Sequence, residues 1–134
     1  MEIKAEEFFT LPEPAKKGKM SLEECIFLRR SVREFSDHPL SVDELSQILW
    51  ASQGKIKSGR RSVPSAGALY PLEIYAVCGN VKGINPGVYR YDWKKHRLSK
   101  VLEGDRRSRL ASAALGQYWV KNAPLNIVIT AIFE

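Results

Sequence analysis

The chain has 134 residues, enough for one compact unit with its own core and too few for two independent ones. Hydrophobic residues make up 44% and charged residues 27%, near the average for folded proteins, which excludes a disordered or low-complexity chain. The formal net charge is +6, and no apolar run reaches the roughly 18 to 20 residues that a membrane-spanning helix requires.

The stretch from Met1 to Glu7 carries too much acid for a secretory or organellar presequence, so a soluble, cytoplasmic protein is expected. Much of the basic excess lies between Lys82 and Lys121. A basic face can attract nucleic acid or an acidic lipid surface, but no nucleic-acid motif accompanies it, and neither partner is expected.

Pro12, Pro14 and Gly18 interrupt any helical pattern near the start, so residues 1–20 are predicted to form an extended arm lying on the body through Phe8, Phe9 and Leu11. Ser21-Leu22-Glu23-Glu24 is a capping box, in which the serine oxygen accepts an early helix N–H and the glutamate reaches back. It predicts a helix from about Leu22 to Arg30. After a turn over Ser36–Leu40, Ser41-Val42-Asp43-Glu44 repeats the signature ahead of Leu45, Ile48, Leu49 and Trp50 at helical spacing. Gly54 suits a left-handed cap for this second helix, and Lys55–Arg61 is expected to be a mobile basic loop.

Leu72–Cys78 has the β-branched and aromatic content of a buried strand, ended by Gly79-Asn80. Pro86-Gly87 leads into a strand at Val88–Asp92, and Trp93–His96 connects it to Arg97–Leu102 as an antiparallel hairpin. Asp105 is expected to cap a helix through Leu110, Ala111 and Leu115 that ends near Gly116. The apolar run Leu125–Phe133 is expected to be a central strand. The order ααβββαβ predicts the α+β class, a sheet with flanking helices.

Cys25 and Cys78 lack metal-ligand spacing and are read as buried, reduced thiols. His38 and His96 are read as ordinary surface histidines, Trp50 and Trp119 as core, and Tyr89 and Tyr91 as packing residues. No metal ligand and no catalytic residue is assigned.

Two segments could carry chemistry. Arg29-Arg30-Ser31-Val32-Arg33 sets three permanently charged, planar guanidiniums and a hydroxyl where a helix gives way to a turn, a set that matches phosphate oxygens. A basic helix end that merely complements the helix dipole has the same composition. Pro64-Ser65-Ala66-Gly67-Ala68-Leu69-Tyr70-Pro71 is a loop of small residues between two prolines, whose backbone a flat ligand could approach closely. The plain alternative is a turn leading into a strand.

These segments, with Ser21–Glu24, Glu34-Phe35, Leu49–Gly54, Leu72–Tyr75 and Pro86–Tyr91, resemble the FMN-dependent nitroreductase superfamily, and most closely its SagB-type branch of peptide-azoline dehydrogenases. The resemblance implies a nitroreductase-like sheet over residues 1–134, with Arg29 and Ser31 on the FMN phosphate, Arg30 in the same cofactor-binding set, and Arg33 at the N1/O2 edge of the flavin ring. A cation there favours the negative charge that two-electron reduction puts at N1. It also implies that Pro64, Ser65, Ala66 and Gly67 form the loop lying against the flavin held mainly by the other subunit of a homodimer. Glu134 falls where the family continues into a further helix, a loop that meets flavin N5 and late phosphate contacts, so the C-terminal part of the family fold is expected to be missing.

Two activities follow from the resemblance: oxidation of azolines in a modified peptide, or reduction of nitro compounds and quinones with NAD(P)H as donor. A truncated, non-catalytic binding or assembly domain with weak or no flavin binding is the alternative.

Overall fold

The computed structural model describes residues 7–133, so the acidic start of the arm and the final residue lie outside the described residues. The strands are β1 (Phe8–Thr10), β2 (Leu72–Cys78), β3 (Gly87–Asp92), β4 (Arg97–Glu103) and β5 (Leu125–Ala131), and the helices are α1 (Leu22–Leu28), α2 (Val42–Gln53), α3 (Arg107–Ala113) and α4 (Tyr118–Asn122). A 3₁₀ turn at Ala66–Ala68 precedes β2. The sheet runs β1-β4-β3-β2-β5 with every neighbouring pair antiparallel. The α+β class with flanking helices is as the residue pattern predicts.

Both capping boxes form. Ser21 Oγ accepts the Glu24 N–H at 3.1 Å and Glu24 accepts the Ser21 N–H at 2.8 Å, with the same pair of distances at Ser41 and Glu44. Their energetic roles differ because only α2 has something to pack on. Leu45 and Leu49, one turn apart, are fully buried and join Ile74, Ala76 and Cys78, which share one face of β2 by strand alternation, together with Tyr89, Tyr91 and Leu98. Helix α1 buries nothing. Leu22, Ile26, Phe27 and Leu28 are all exposed, Phe27 by 87%.

Several expectations are corrected. The arm is extended, but its Phe8–Thr10 joins the sheet as edge strand β1 against β4, and Leu11 enters the core. Cys25 is exposed on α1, because that helix buries none of its residues, whereas Cys78 is buried and desolvation pushes its thiol up to about 12. Trp50 and Trp119 are half-buried rather than core.

Gly54 ends α2 in extended rather than left-handed backbone, at φ −72° and ψ 164°. Glycine is required there by space: an added Cβ would sit 2.4 Å from the Trp50 ring and 2.6 Å from its backbone. Lys55–Arg61 is not an open loop. It closes on itself through an Ile56 N–H to Arg60 carbonyl bond of 2.8 Å and a Lys55–Arg61 bridge.

The helix expected from Asp105 to Gly116 stops at Ala113. Leu115 and Gly116 take φ of 62° and 71°, and a second short helix, α4, follows. The N-cap is Arg106, and Asp105 reaches past it to the Arg107 N–H at 3.1 Å. Among the described residues β5 is an edge strand paired only with β2, not a central one. Its apolar content marks a strand built for burial on both faces, yet Ile129 is 60% exposed in this chain.

Candidate functional site

Arg29 caps the C-terminal end of α1, where φ −58° and ψ 129° turn the chain out of the helix into an extended run. Arg29, Arg30, Ser31 and Arg33 are all exposed along that run. Among the described residues, none of the three arginines makes an ion pair. Arg33 lies over the Trp119 ring of α4 at 5.4 Å, and with Asn80, Arg107, Ser108, Tyr118 and Lys121 it lines an open cavity of about 800 Å³. Arg29, Arg30 and Ser31 do not line it.

Asp105 and Arg107, which line the same cavity, are joined by an ion pair. Arg107 donates to both Asp105 oxygens at 2.8 to 3.2 Å and to the Ala123 carbonyl at 3.1 Å, tying the start of α3 to the entry of β5. These bonds hold the Asp105 carboxyl below its usual range.

The second sequence-predicted segment forms a tight, conformationally unusual loop. Gly67, Ala68 and Tyr70 have φ of 64°, 54° and 45°, left-handed positions interrupted by a right-handed Leu69 at φ −78°, and of the three only the glycine is at ease. Ser65 holds it, its carbonyl accepting the Ala68 N–H at 3.0 Å and its hydroxyl the Tyr70 N–H at 2.9 Å. Pro64, Ser65 and Ala66 line a cavity of about 390 Å³ together with Leu69, Tyr70 and Leu72. Gly67 has no neighbour near its missing Cβ closer than Leu69 at 3.8 Å, so the loop backbone is open to a flat ligand. The two cavities share no residue. Within one chain the structure therefore does not bring the arginine run and the small-residue loop to one site.

Two residues that position this region gave little sequence signal. Arg61 donates to the Leu72 carbonyl at 2.7 Å and to Gln53 at 3.3 Å, and its guanidinium lies 5.4 Å from the Tyr70 ring and 4.9 Å from the Trp93 ring. It braces the loop against the β3–β4 connection. His96, expected on the surface, is a half-buried hub: Nδ1 is 2.7 Å from the Tyr91 hydroxyl, and Nε2 is 2.7 Å from Ser46 Oγ and 3.0 Å from the Pro12 carbonyl. Its left-handed φ of 47° lets the hairpin turn point the ring inward, which composition alone does not reveal.

An exposed row of guanidiniums and a hydroxyl that makes no ion pair among the described residues has the donor set a phosphate monoester needs, although Glu34, Asp37 and Asp105 line the cavity beside Arg33, and the exposed Gly67 backbone suits a planar ring, the chemistry that FMN would require. Among the described residues no group of acids, cysteines or histidines could hold a metal ion, and no helix is long and apolar enough to cross a membrane.

Comparison with known proteins agrees with the fold. A family model described as the nitroreductase family matches residues 26–134. A "putative nitroreductase" of Methanocaldococcus jannaschii is 42% identical over 117 residues, covering 87% of this chain and 59% of that protein. The trifolitoxin-processing protein TfxB of Rhizobium leguminosarum bv. trifolii is 46% identical over 43 residues, 31% of this chain and 12% of that protein. The crystal structure of a "putative nitroreductase" from Ralstonia eutropha superposes with a TM-score of 0.76 at 35% identity, over 92% of this chain and 55% of that one. The chain thus spans a little over half the length of the Methanocaldococcus and Ralstonia proteins.

Proposed function

The chain belongs to the nitroreductase family, and from that premise we propose that it is an FMN-binding oxidoreductase whose flavin slot is completed between two copies of the chain. The observation that carries this reading is the run Arg29–Arg33: three exposed guanidiniums, free of ion pairs among the described residues, starting at the cap of a helix that buries none of its residues.

In this reading Arg29, Arg30 and Ser31 hold the phosphate by charge-assisted bonds, and Arg33 sets a permanent positive charge at the N1 edge of the ring. FMN, when bound, supplies the two-electron chemistry. The small-residue loop Pro64–Gly67 lies against the ring of the flavin held by the other copy. Separation of the two segments into different cavities, and the bare apolar face of α1, both support a slot shared between copies. No side chain of the described residues is assigned a proton-transfer role.

For the substrate, the partial similarity to a trifolitoxin-processing protein is in keeping with a dehydrogenase acting on a modified peptide, the azoline reading. The family itself equally supports reduction of nitro compounds or quinones with NAD(P)H. The test is a titration with FMN followed by gel filtration. Protein that retains a flavin absorption band supports the enzyme, and protein that emerges colourless overturns the reading in favour of a non-catalytic binding domain. Steady-state turnover of a nitroaromatic with NAD(P)H, against oxidation of an azoline peptide, then separates the two substrates.

A further inference from the structure

A third cavity, of about 710 Å³, lies apart from both flavin segments, between the arm, the end of α2, the turn after it and the β3–β4 connection. Its lining combines two indoles, Trp50 and Trp93, and the apolar Pro14 and Ile56 with five lysines, Lys16, Lys55, Lys57, Lys94 and Lys95, against one acid, Glu13. Glu13 is 3.7 Å from Lys16, and among the described residues the other four lysines make no ion pair.

The walls are fixed in advance. The arm is stapled to α2 by the Ala15 N–H to Gln47 bond of 2.8 Å and the return bond of 3.0 Å. The Trp50 indole N–H donates to the Lys55 carbonyl at 3.0 Å, and the Trp93 ring is held by the Arg61 guanidinium at 4.9 Å. Lys16 and Lys94 lie 5.3 and 5.6 Å from the Trp50 and Trp93 rings, so positive charge is carried on the indoles as well as around them.

We propose that this cavity binds a nucleoside phosphate, its planar base against the indoles and its phosphates on the lysine rim. The volume lies within the range of small-molecule sites, roughly 300 to 1,000 Å³. Four unpaired ammonium groups around one concavity repel one another and focus a positive field that an anion relieves. Two indoles lining one cavity select a flat ring over an aliphatic chain. An extended acidic peptide is a poorer match, since no free strand edge lines the cavity to take its backbone bonds. The site is distinct from the proposed flavin slot and does not depend on it.

The test is calorimetric titration of the full chain, saturated with FMN, with adenosine triphosphate, adenosine and inorganic tripolyphosphate. Adenosine triphosphate is expected to bind at one site per chain, with adenosine and tripolyphosphate each at least tenfold weaker. The double variant Lys57→Glu and Lys95→Glu should weaken the nucleotide at least tenfold with an unchanged melting temperature, Trp93→Leu should also weaken it at least tenfold, and Lys82→Glu, at an exposed lysine outside the cavity, should leave it unaltered. Tripolyphosphate binding as tightly as the nucleotide, indifference to the lysine reversals, or tighter binding of an acidic peptide or a single-stranded oligonucleotide would overturn the assignment.

Discussion

The Tyr91 hydroxyl lies 2.7 Å from His96 Nδ1, the two rings meeting edge to face at 5.7 Å between centroids. The Pro12 carbonyl can only accept, so in the neutral ring Nε2 carries the proton, shared with Ser46 Oγ, and the Tyr91 hydroxyl, kept protonated by burial, donates to Nδ1. A neutral imidazole thus ties the arm, α2 and the β3–β4 turn together. Burial lowers its pKa below the ordinary 6.5, with the Pro12 bond and the charge of Glu13 opposing in part and Lys16 adding to the fall. Because the unfolded chain takes up the proton first, stability is full above about pH 6.5 and declines as the pH falls from there to the folded pKa. Thermal melts between about pH 5 and 8 should show that decline in the native chain. His96→Gln should flatten it and cost about 1 to 3 kcal/mol through the unmade buried bonds.

Gly54→Ala should destabilise the chain despite the ordinary φ of that residue. The new Cβ would meet the Trp50 ring at 2.4 Å and its backbone at 2.6 Å, and the backbone cannot give way while Gly54 N–H bonds the Trp50 carbonyl at 2.7 Å. Overpacking of this kind costs about 1 to 3 kcal/mol. Urea unfolding of both forms measures it, and equal midpoints would show that the end of α2 is looser than its geometry.

Arg33→Ala should leave the fold intact, since the residue is exposed and its only aromatic contact among the described residues is a cation–π approach to Trp119 at 5.4 Å. FMN affinity should fall by about 1.5 to 3 kcal/mol for the lost charge-assisted contact, roughly ten- to 150-fold. The flavin reduction potential should drop as well, because the reduced ring loses its positive neighbour. Flavin and redox titrations read the two effects separately, and no change in either removes Arg33 from the slot.

Self-association is expected from the surface. Phe27 and Leu28 on α1 are 87% and 60% exposed, and Ile129 and Phe133 at the β5 edge are 60% and 86% exposed. Bare apolar area of this kind is worth roughly 25 cal/mol per Å² when covered. Light scattering at micromolar concentration should give a dimer or larger species, and Phe27→Glu should shift it toward monomer. A stable native monomer would count against a flavin slot shared between copies.

Local chemistry settled a good part of this molecule. Each capping box needs only two side chains three residues apart, so Ser21 with Glu24 and Ser41 with Glu44 announce the helix starts regardless of what surrounds them. The alternation and β-branching of β2, β3 and β4 did the same for the hairpin. The run of arginines at Arg29–Arg33 and the run of small residues at Pro64–Gly67 can also be picked out along the chain, since they are properties of composition. Tertiary structure decided the rest, because it depends on neighbours distant along the chain. Two helices with the same cap differ completely in burial, α2 finding the sheet and α1 finding nothing. β5 reads as a central strand from its side chains, but strand position is set by which edges are paired, and among the described residues only β2 pairs with it. His96 became a hub because a left-handed φ turned it toward Pro12 and Ser46, 84 and 50 residues away along the chain.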